Sequence, residues 1–303
     1  MSKLALLFPG QGSQFAGMGK SLADTYPEAR AVFEQADDAL GFALSKLCFE
    51  GPEEDLKLTE NTQPAILTAS IAAYEVLKSR AAAPAFVAGH SLGEYSAIVA
   101  AGGLAFADAV RLVRKRGQYM QQAVPQGVGA MAAILKLPDG KLDAILAEAA
   151  QGEVVSAANL NSPDQVVIAG HAAAVARAME LAKAAGAKRA VPLPVSAPFH
   201  CALMTPAQDN MRAEFDAVTF HDLAIPLINN WQARPVTTAA NVRQGILEQI
   251  PNPVQWVPTL RLLAAEGVTS GFEVGPGAVL SGLVKQTTPT IEMAKRGEAK
   301  DFA

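Results

Sequence analysis

Cysteine is scarce in this sequence: 303 residues carry only Cys48 and Cys201. The two are far apart and no second pair supplies a zinc spacing, so the sequence predicts free thiols, no disulfide and no metal or other cofactor. Basic clusters are sparse as well. Arg114-Lys115-Arg116 is the one short run, and a net charge of −4 gives no electrostatic reason to expect a nucleic-acid partner. Long apolar runs are missing too: Leu4 to Phe8 is stopped by Pro9-Gly10, too short for a signal peptide or a membrane span. The expectation is a cytoplasmic chain with no membrane partner, acting as a monomer. A Walker loop is also excluded, because Gly10 and Gly12 are not followed by Gly-Lys-Ser/Thr.

What is present is apolar and foldable. Half the residues are hydrophobic and 18% are charged, which argues against disorder and allows a large core. The stretch Phe86-Val87-Ala88-Gly89-His90-Ser91-Leu92-Gly93-Glu94-Tyr95 reads as a short buried strand, a Gly-x-Ser-x-Gly turn and the start of a helix. Such an elbow holds its serine on strained backbone, and the new helix offers unpaired N–H groups to a developing negative charge. A structural Gly-Ser turn is the competing reading, so the serine's partners must be sought.

Along the chain, Leu4 to Phe8 reads as a first buried strand, followed by the loop Pro9-Gly10-Gln11-Gly12-Ser13-Gln14. That loop is either a ligand-binding turn, in which Gln11 could donate, or a plain strand-to-helix connection. Helices dominate from Gly17 to Leu47, with Pro27 starting one and Gly41 ending it. Asn61-Thr62-Gln63-Pro64 predicts the capped start of an Ala-rich helix to Ala82. Strand, helices, strand and helix in this order predict a parallel sheet with helices on its faces. After the elbow helix, Val110, Val113, Gly117, Met120 and Val124 form one face of an amphipathic helix. Arg116 borders that face, where it either reaches toward a ligand or belongs to a solvated face.

From Gly129 to Leu193 the predicted order is β-α-β-β-α-β, a ferredoxin-like unit. The expected division is a large α/β domain, hydrolase-like, at residues 1–126 and 195–303, and a small ferredoxin-like insert at residues 127–194. A cleft between them is the expected ligand site. Ile225 to Ile228 and Gly271 to Val274 read as further strands of the large domain, and the charged tail from Lys295 to Ala303 carries no identifiable chemistry.

A serine needs a base, and four histidines are available. His90 adjoins Ser91 and suits a supporting role; His171 and His221 read as surface or capping residues. Elimination leaves His200, where the chain re-enters the large domain. No acidic residue stands out as its orienting partner, and a backbone carbonyl could serve instead.

Taken together, the chain resembles the malonyl-CoA:acyl carrier protein transacylases of fatty-acid synthesis almost end to end. The motifs are Pro9-Gly10-Gln11-Gly12-Ser13-Gln14, Gly89-His90-Ser91-Leu92-Gly93-Glu94-Tyr95, Arg116-Gly117 with Met120, Asn159-Leu160-Asn161-Ser162-Pro163, Phe199-His200, Asn252-Pro253-Val254-Gln255-Trp256 and Glu273-Val274-Gly275-Pro276-Gly277. The resemblance implies Ser91 as the acylated nucleophile, His200 as its base, the Gln255 backbone carbonyl as the orienter, and Gln11 with the Leu92 N–H as the oxyanion hole. It implies a malonyl carboxylate on Arg116, and a substrate pocket that also involves Gln11, Met120, Phe199, His90, Asn159 and Asn161. Phe199 resembles the malonyl-selective members, its bulk narrowing the space for a branch. The implied partners are malonyl-CoA and acyl carrier protein. Loading of polyketide carrier proteins and serine hydrolysis are the alternatives.

Overall fold

The computed structural model describes residues 3–195 and 197–302. Met1, Ser2, Ser196 of the re-entry stretch and Ala303 of the tail lie outside the described residues.

Two sheets organise the chain. The larger has strands β1 (Lys3–Phe8), β2 (Phe86–Gly89), β7 (Leu227–Ile228), β8 (Pro235–Val236), β9 (Val268–Val274) and β10 (Glu292–Arg296), in the order β10-β9-β1-β2-β7-β8. All its pairings are parallel except β7 with β8. β2 is apolar and buried at every position, as expected of a central parallel strand covered on both faces. Leu6, Phe8 and Val87 pack into one core, while Ala5, Leu7 and Ala88 pack into a second on the opposite face. The period-2 side-chain alternation of β1 and β2 is therefore used on both sides.

The smaller sheet is antiparallel: β3 (Gly129–Leu135), β4 (Val155–Ser162), β5 (Gln165–His171) and β6 (Arg189–Pro192), in the order β4-β5-β3-β6. Helices Leu142–Ala150 and Ala172–Ala184 intervene in the β-α-β-β-α-β order expected from sequence. Ala132, Ile134 and Ile168 pack beneath these helices, whereas Met131, Ala133 and Val167 face the large core. The stretch Asn252 to Trp256 joins the two sheets: Leu160 N–H donates to the Val254 carbonyl (3.0 Å), and Val254 N–H donates to that of Ala158 (2.9 Å).

One local expectation is corrected. The Ala-rich helix spans Thr59–Leu77, so it starts before Asn61 and holds Pro64 inside it. Thr62 does not cap it, because its hydroxyl donates to the carbonyls of Leu56 and Leu58. Lys295 and Arg296, the first residues of the charged tail, end β10, the edge of the large sheet, and charges on an edge strand discourage pairing with another chain.

Candidate active site

β2 ends at the centre of the large sheet, and the chain turns sharply there into the helix Gly93–Ala100. Ser91 has φ 51°, the left-handed region that disfavours a side-chain-bearing residue. The glycines make that turn possible by their missing side chains. A Cβ on Gly89 would lie 1.9 Å from the Gly93 carbonyl oxygen, and one on Gly93 would lie 2.0 Å from that of Phe8. Asn230, following β7, holds the turn from below: its Oδ1 accepts from the Ser91 N–H (2.7 Å) and its Nδ2 donates to the Gly89 carbonyl (2.7 Å).

His200 meets the serine. Its Nε2 is 2.7 Å from Ser91 Oγ, and its Nδ1 is 2.9 Å from the backbone carbonyl oxygen of Gln249. The carbonyl requires a proton on Nδ1, which leaves Nε2 as the acceptor facing the hydroxyl. Burial first, and the nearby Arg116 cation second, push the imidazole down to about 3. His200 is therefore neutral at pH 7, ready to receive a proton.

The expected orienter, the Gln255 carbonyl, is engaged elsewhere: it accepts from Thr259 N–H (3.0 Å) and Thr259 Oγ1 (2.8 Å). Gln255 stands at the N-cap of helix Trp256–Ala265, where a carbonyl accepts the first intrahelical bonds. Gln249 stands at the C-cap of helix Ala239–Glu248, where carbonyls have no intrahelical donor. The end of that helix thus supplies the orienting acceptor.

Arg116, on helix Phe106–Gln122, is buried at 1% exposure rather than lying on a solvated face. Its Nη1 donates to Gln63 Oε1 (2.7 Å), and its Nη2 to Gln249 Oε1 (2.7 Å) and Ser91 Oγ (3.2 Å). Among the described residues Nε has no acceptor and no carboxylate forms an ion pair with this guanidinium. A buried cation held by neutral oxygens beside a nucleophile is a site suited to a carboxylate.

Gln11, His90, Ser91, Leu92, Arg116, Met120, Asn159, Phe199 and His200, all expected from sequence, line one cavity of about 130 Å³. Asn161 lines an adjoining cleft instead and pairs with His90 across the two sheets, Oδ1 to Nε2 at 2.8 Å. His90 also packs edge-on to Trp256. Burial lowers its basicity, in keeping with a supporting role. Gln11 Nε2 donates to Thr59 Oγ1 (3.3 Å) at the rim. Leu92 lies at the N-cap of the elbow helix, and the amides that follow it are engaged: the N–H groups of Gly93, Glu94 and Tyr95 donate to the carbonyls of His90 (2.9 Å), Ser91 (3.1 Å) and Leu92 (3.0 Å). His171 is an N-cap residue, as expected.

The sequence reading missed Gln63, Gln249 and Asn230, and gave Glu94 no role. Their one signal is an amide or acid in apolar surroundings, as in Gln63-Pro64-Ala65-Ile66-Leu67 and Ile246-Leu247-Glu248-Gln249-Ile250. Among the described residues no group of three or more His, Cys, Asp or Glu could hold a metal ion.

Residues 5–299 match the acyl transferase domain family. The chain is 50% identical over 304 residues to the malonyl CoA-acyl carrier protein transacylase of Escherichia coli K12, covering all of this chain and 98% of that one. It superposes on the acyl carrier protein S-malonyltransferase of Vibrio cholerae with a TM-score of 0.97 at 47% identity, covering 99% and 98% of the two chains. A malonyl-transacylase solved in complex with a type II polyketide acyl-carrier protein gives a TM-score of 0.96 at 45% identity, with the same coverage. With a serine, a neutral histidine and a buried arginine converging on one cavity, and with this extent of identity, the chain belongs to the acyl transferase family, among its malonyl CoA-acyl carrier protein transacylases.

Proposed function

We propose that this chain transfers a malonyl group from malonyl-CoA to the phosphopantetheine thiol of acyl carrier protein, supplying fatty-acid chain elongation. The observation that carries the reading is the 3.2 Å contact between Arg116 Nη2 and Ser91 Oγ. A malonyl ester on Ser91 has its free carboxylate two carbons beyond the ester carbonyl, within reach of that guanidinium. A planar guanidinium can hold it with two charge-assisted bonds, and an acetyl group would leave the arginine without its anion.

In the first half-reaction Ser91 Oγ attacks the thioester carbonyl carbon while His200 Nε2 takes the hydroxyl proton. The negative charge on the carbonyl oxygen is stabilised by the Leu92 N–H and by Gln11. The C–S bond then breaks, His200 returns its proton to the CoA sulfur, and malonyl-Ser91 remains. In the second half-reaction the carrier thiol gives its proton to His200 and its sulfur attacks the ester carbon. The C–Oγ bond breaks, and Ser91 recovers the proton. No metal or other cofactor takes part in this scheme.

We read the elbow-bearing part, residues 1–126 and 195–303, as a hydrolase-like domain and residues 127–194 as a ferredoxin-like domain. The sheet orders support that division. We take the protein to be a cytoplasmic monomer; among the described residues no helix is long and apolar enough to cross a membrane.

The polyketide-carrier alternative has one supporting observation, the 45% identical relative solved with such a carrier. Malonyl-CoA consumption, measured with no carrier, with a fatty-acid carrier and with a polyketide carrier, tests the proposal. Consumption that depends on a carrier and is fastest with the fatty-acid one supports it. Faster transfer to the polyketide carrier favours the alternative, and equal consumption without carrier indicates a hydrolase.

A further inference from the structure

Glu94, three residues after the nucleophile, is fully buried, and its carboxylate hydrogen-bonds to neither Ser91 Oγ nor His200. One of its oxygens does all its bonding: Oε2 accepts from Gln249 Nε2 (2.7 Å) and from the Asn230 N–H (3.2 Å). Among the described residues Oε1 has no partner. Gln249 Nε2 also donates to the Ser91 carbonyl (2.9 Å), while Gln249 Oε1 accepts from Arg116 Nη2 (2.7 Å).

A carboxamide has two ends of similar shape and opposite hydrogen-bonding character, so its direction is set by its neighbours. Reversing the Gln249 amide would bring its NH₂ against the Arg116 guanidinium, donor to donor. It would also bring its oxygen against Glu94 Oε2 and the Ser91 carbonyl, acceptor to acceptor. Buried polar atoms left unpaired in this way each cost on the order of 1–3 kcal/mol, so one orientation is enforced. Glu94 Oε2 is the nearer of the two side-chain acceptors on Nε2, at 2.7 Å against 3.4 Å for Asn230 Oδ1, and Asn230 Oδ1 is already taken by the Ser91 N–H.

We infer that Glu94 is a positioning residue for acyl-group selection: through the Gln249 amide it fixes the Arg116 guanidinium for a substrate carboxylate. The inference rests on the reading of Arg116 as the malonyl clamp. Because Glu94 acts through a neutral amide and forms no ion pair with Arg116, the cation stays available to the substrate. The ring of Tyr95, next to Glu94, lies 5.6 Å from the guanidinium carbon and limits its movement on another side.

Acylation of Ser91 by malonyl-CoA and by acetyl-CoA, measured for the wild type, Glu94→Met, Glu94→Gln, Gln249→Met and Arg116→Ala, tests the inference. Methionine keeps the bulk without the acceptor, whereas glutamine keeps an acceptor oxygen without the charge. Glu94→Met should lower the malonyl-to-acetyl ratio of kcat/KM about tenfold or more, chiefly through the malonyl KM, and Glu94→Gln should stay within about threefold of the wild type. A ratio unchanged in Glu94→Met while Arg116→Ala collapses it overturns the inference alone; a ratio unchanged in Arg116→Ala overturns the clamp. Equal losses in both Glu94 variants overturn the acceptor role. If Glu94→Met does not fold, Gln249→Met decides: a lowered ratio supports the inference and an unchanged one overturns it.

Discussion

His200 donates through Nδ1 to the backbone carbonyl of Gln249 at 2.9 Å, so the proposed base is oriented by a helix end instead of an acidic side chain. No side-chain substitution removes that acceptor. Gln255→Ala should therefore leave acyl transfer within about threefold of the wild type, while His200→Ala should lower kcat by roughly a hundredfold or more, as expected for loss of a general base. Steady-state kinetics of the two variants check the assignment.

Arg116→Ala removes the proposed anion site beside Ser91. Loss of a charge-assisted pair of about 3 kcal/mol corresponds to roughly a hundredfold in malonyl kcat/KM, with a much smaller change for acetyl-CoA. Equal losses for the two donors would reject the clamp.

Proton linkage gives opposite signs at two buried groups. The folded His200 is held at about 3 against its usual 6.5, so the unfolded chain binds more protons between these values. The stability this group contributes is present above pH 6.5 and is lost as pH falls toward 3. Burial raises Glu94 to about 7 from 4.5, so its contribution is fully present below pH 4.5 and is lost as pH rises through 7. The two slopes oppose each other between pH 4.5 and 6.5. Glu94→Gln should uncover the His200 slope, and its melting temperature should rise more steeply with pH across that window than that of the wild type.

The same displacement of His200 bears on activity. The acid limb of kcat/KM for Ser91 acylation, which reports the free enzyme, should fall well below the ordinary histidine range. Rapid-quench acylation at pH 5.5 and 7.5 should give similar values; an acid limb centred near 6.5 would contradict the neutral buried base.

Gly93→Ala places a methyl group 2.0 Å from the Phe8 carbonyl, where strand backbone cannot yield. A cost of roughly 3 kcal/mol or more is expected from such overpacking, readable as a lowered denaturation midpoint together with lost acylation.

Much of this site is legible in the sequence because its motifs have local physical causes. Gly-x-Ser-x-Gly after a buried strand dictates the elbow, and the switch of hydrophobic period after Gly127 marks the second sheet. Arg116 could be found as a candidate, but whether it faced solvent depended on the packing of its helix. The orienting carbonyl was not legible, since every residue has one and only the C-cap position of Gln249 leaves it free. Gln63 and Gln249 were missed because an isolated glutamine carries no spacing signal. β10 was missed because an edge strand needs little apolar alternation and tolerates the charges of Glu292, Lys295 and Arg296.

Intact-mass analysis of the protein with malonyl-CoA, and then with added carrier protein, decides whether Ser91 carries the malonyl group between donor and carrier. A gain of one malonyl group is expected, absent in Ser91→Ala, that is lost to the carrier thiol on its addition. Full labelling of Ser91→Ala, or an adduct that the carrier does not remove, would contradict that role.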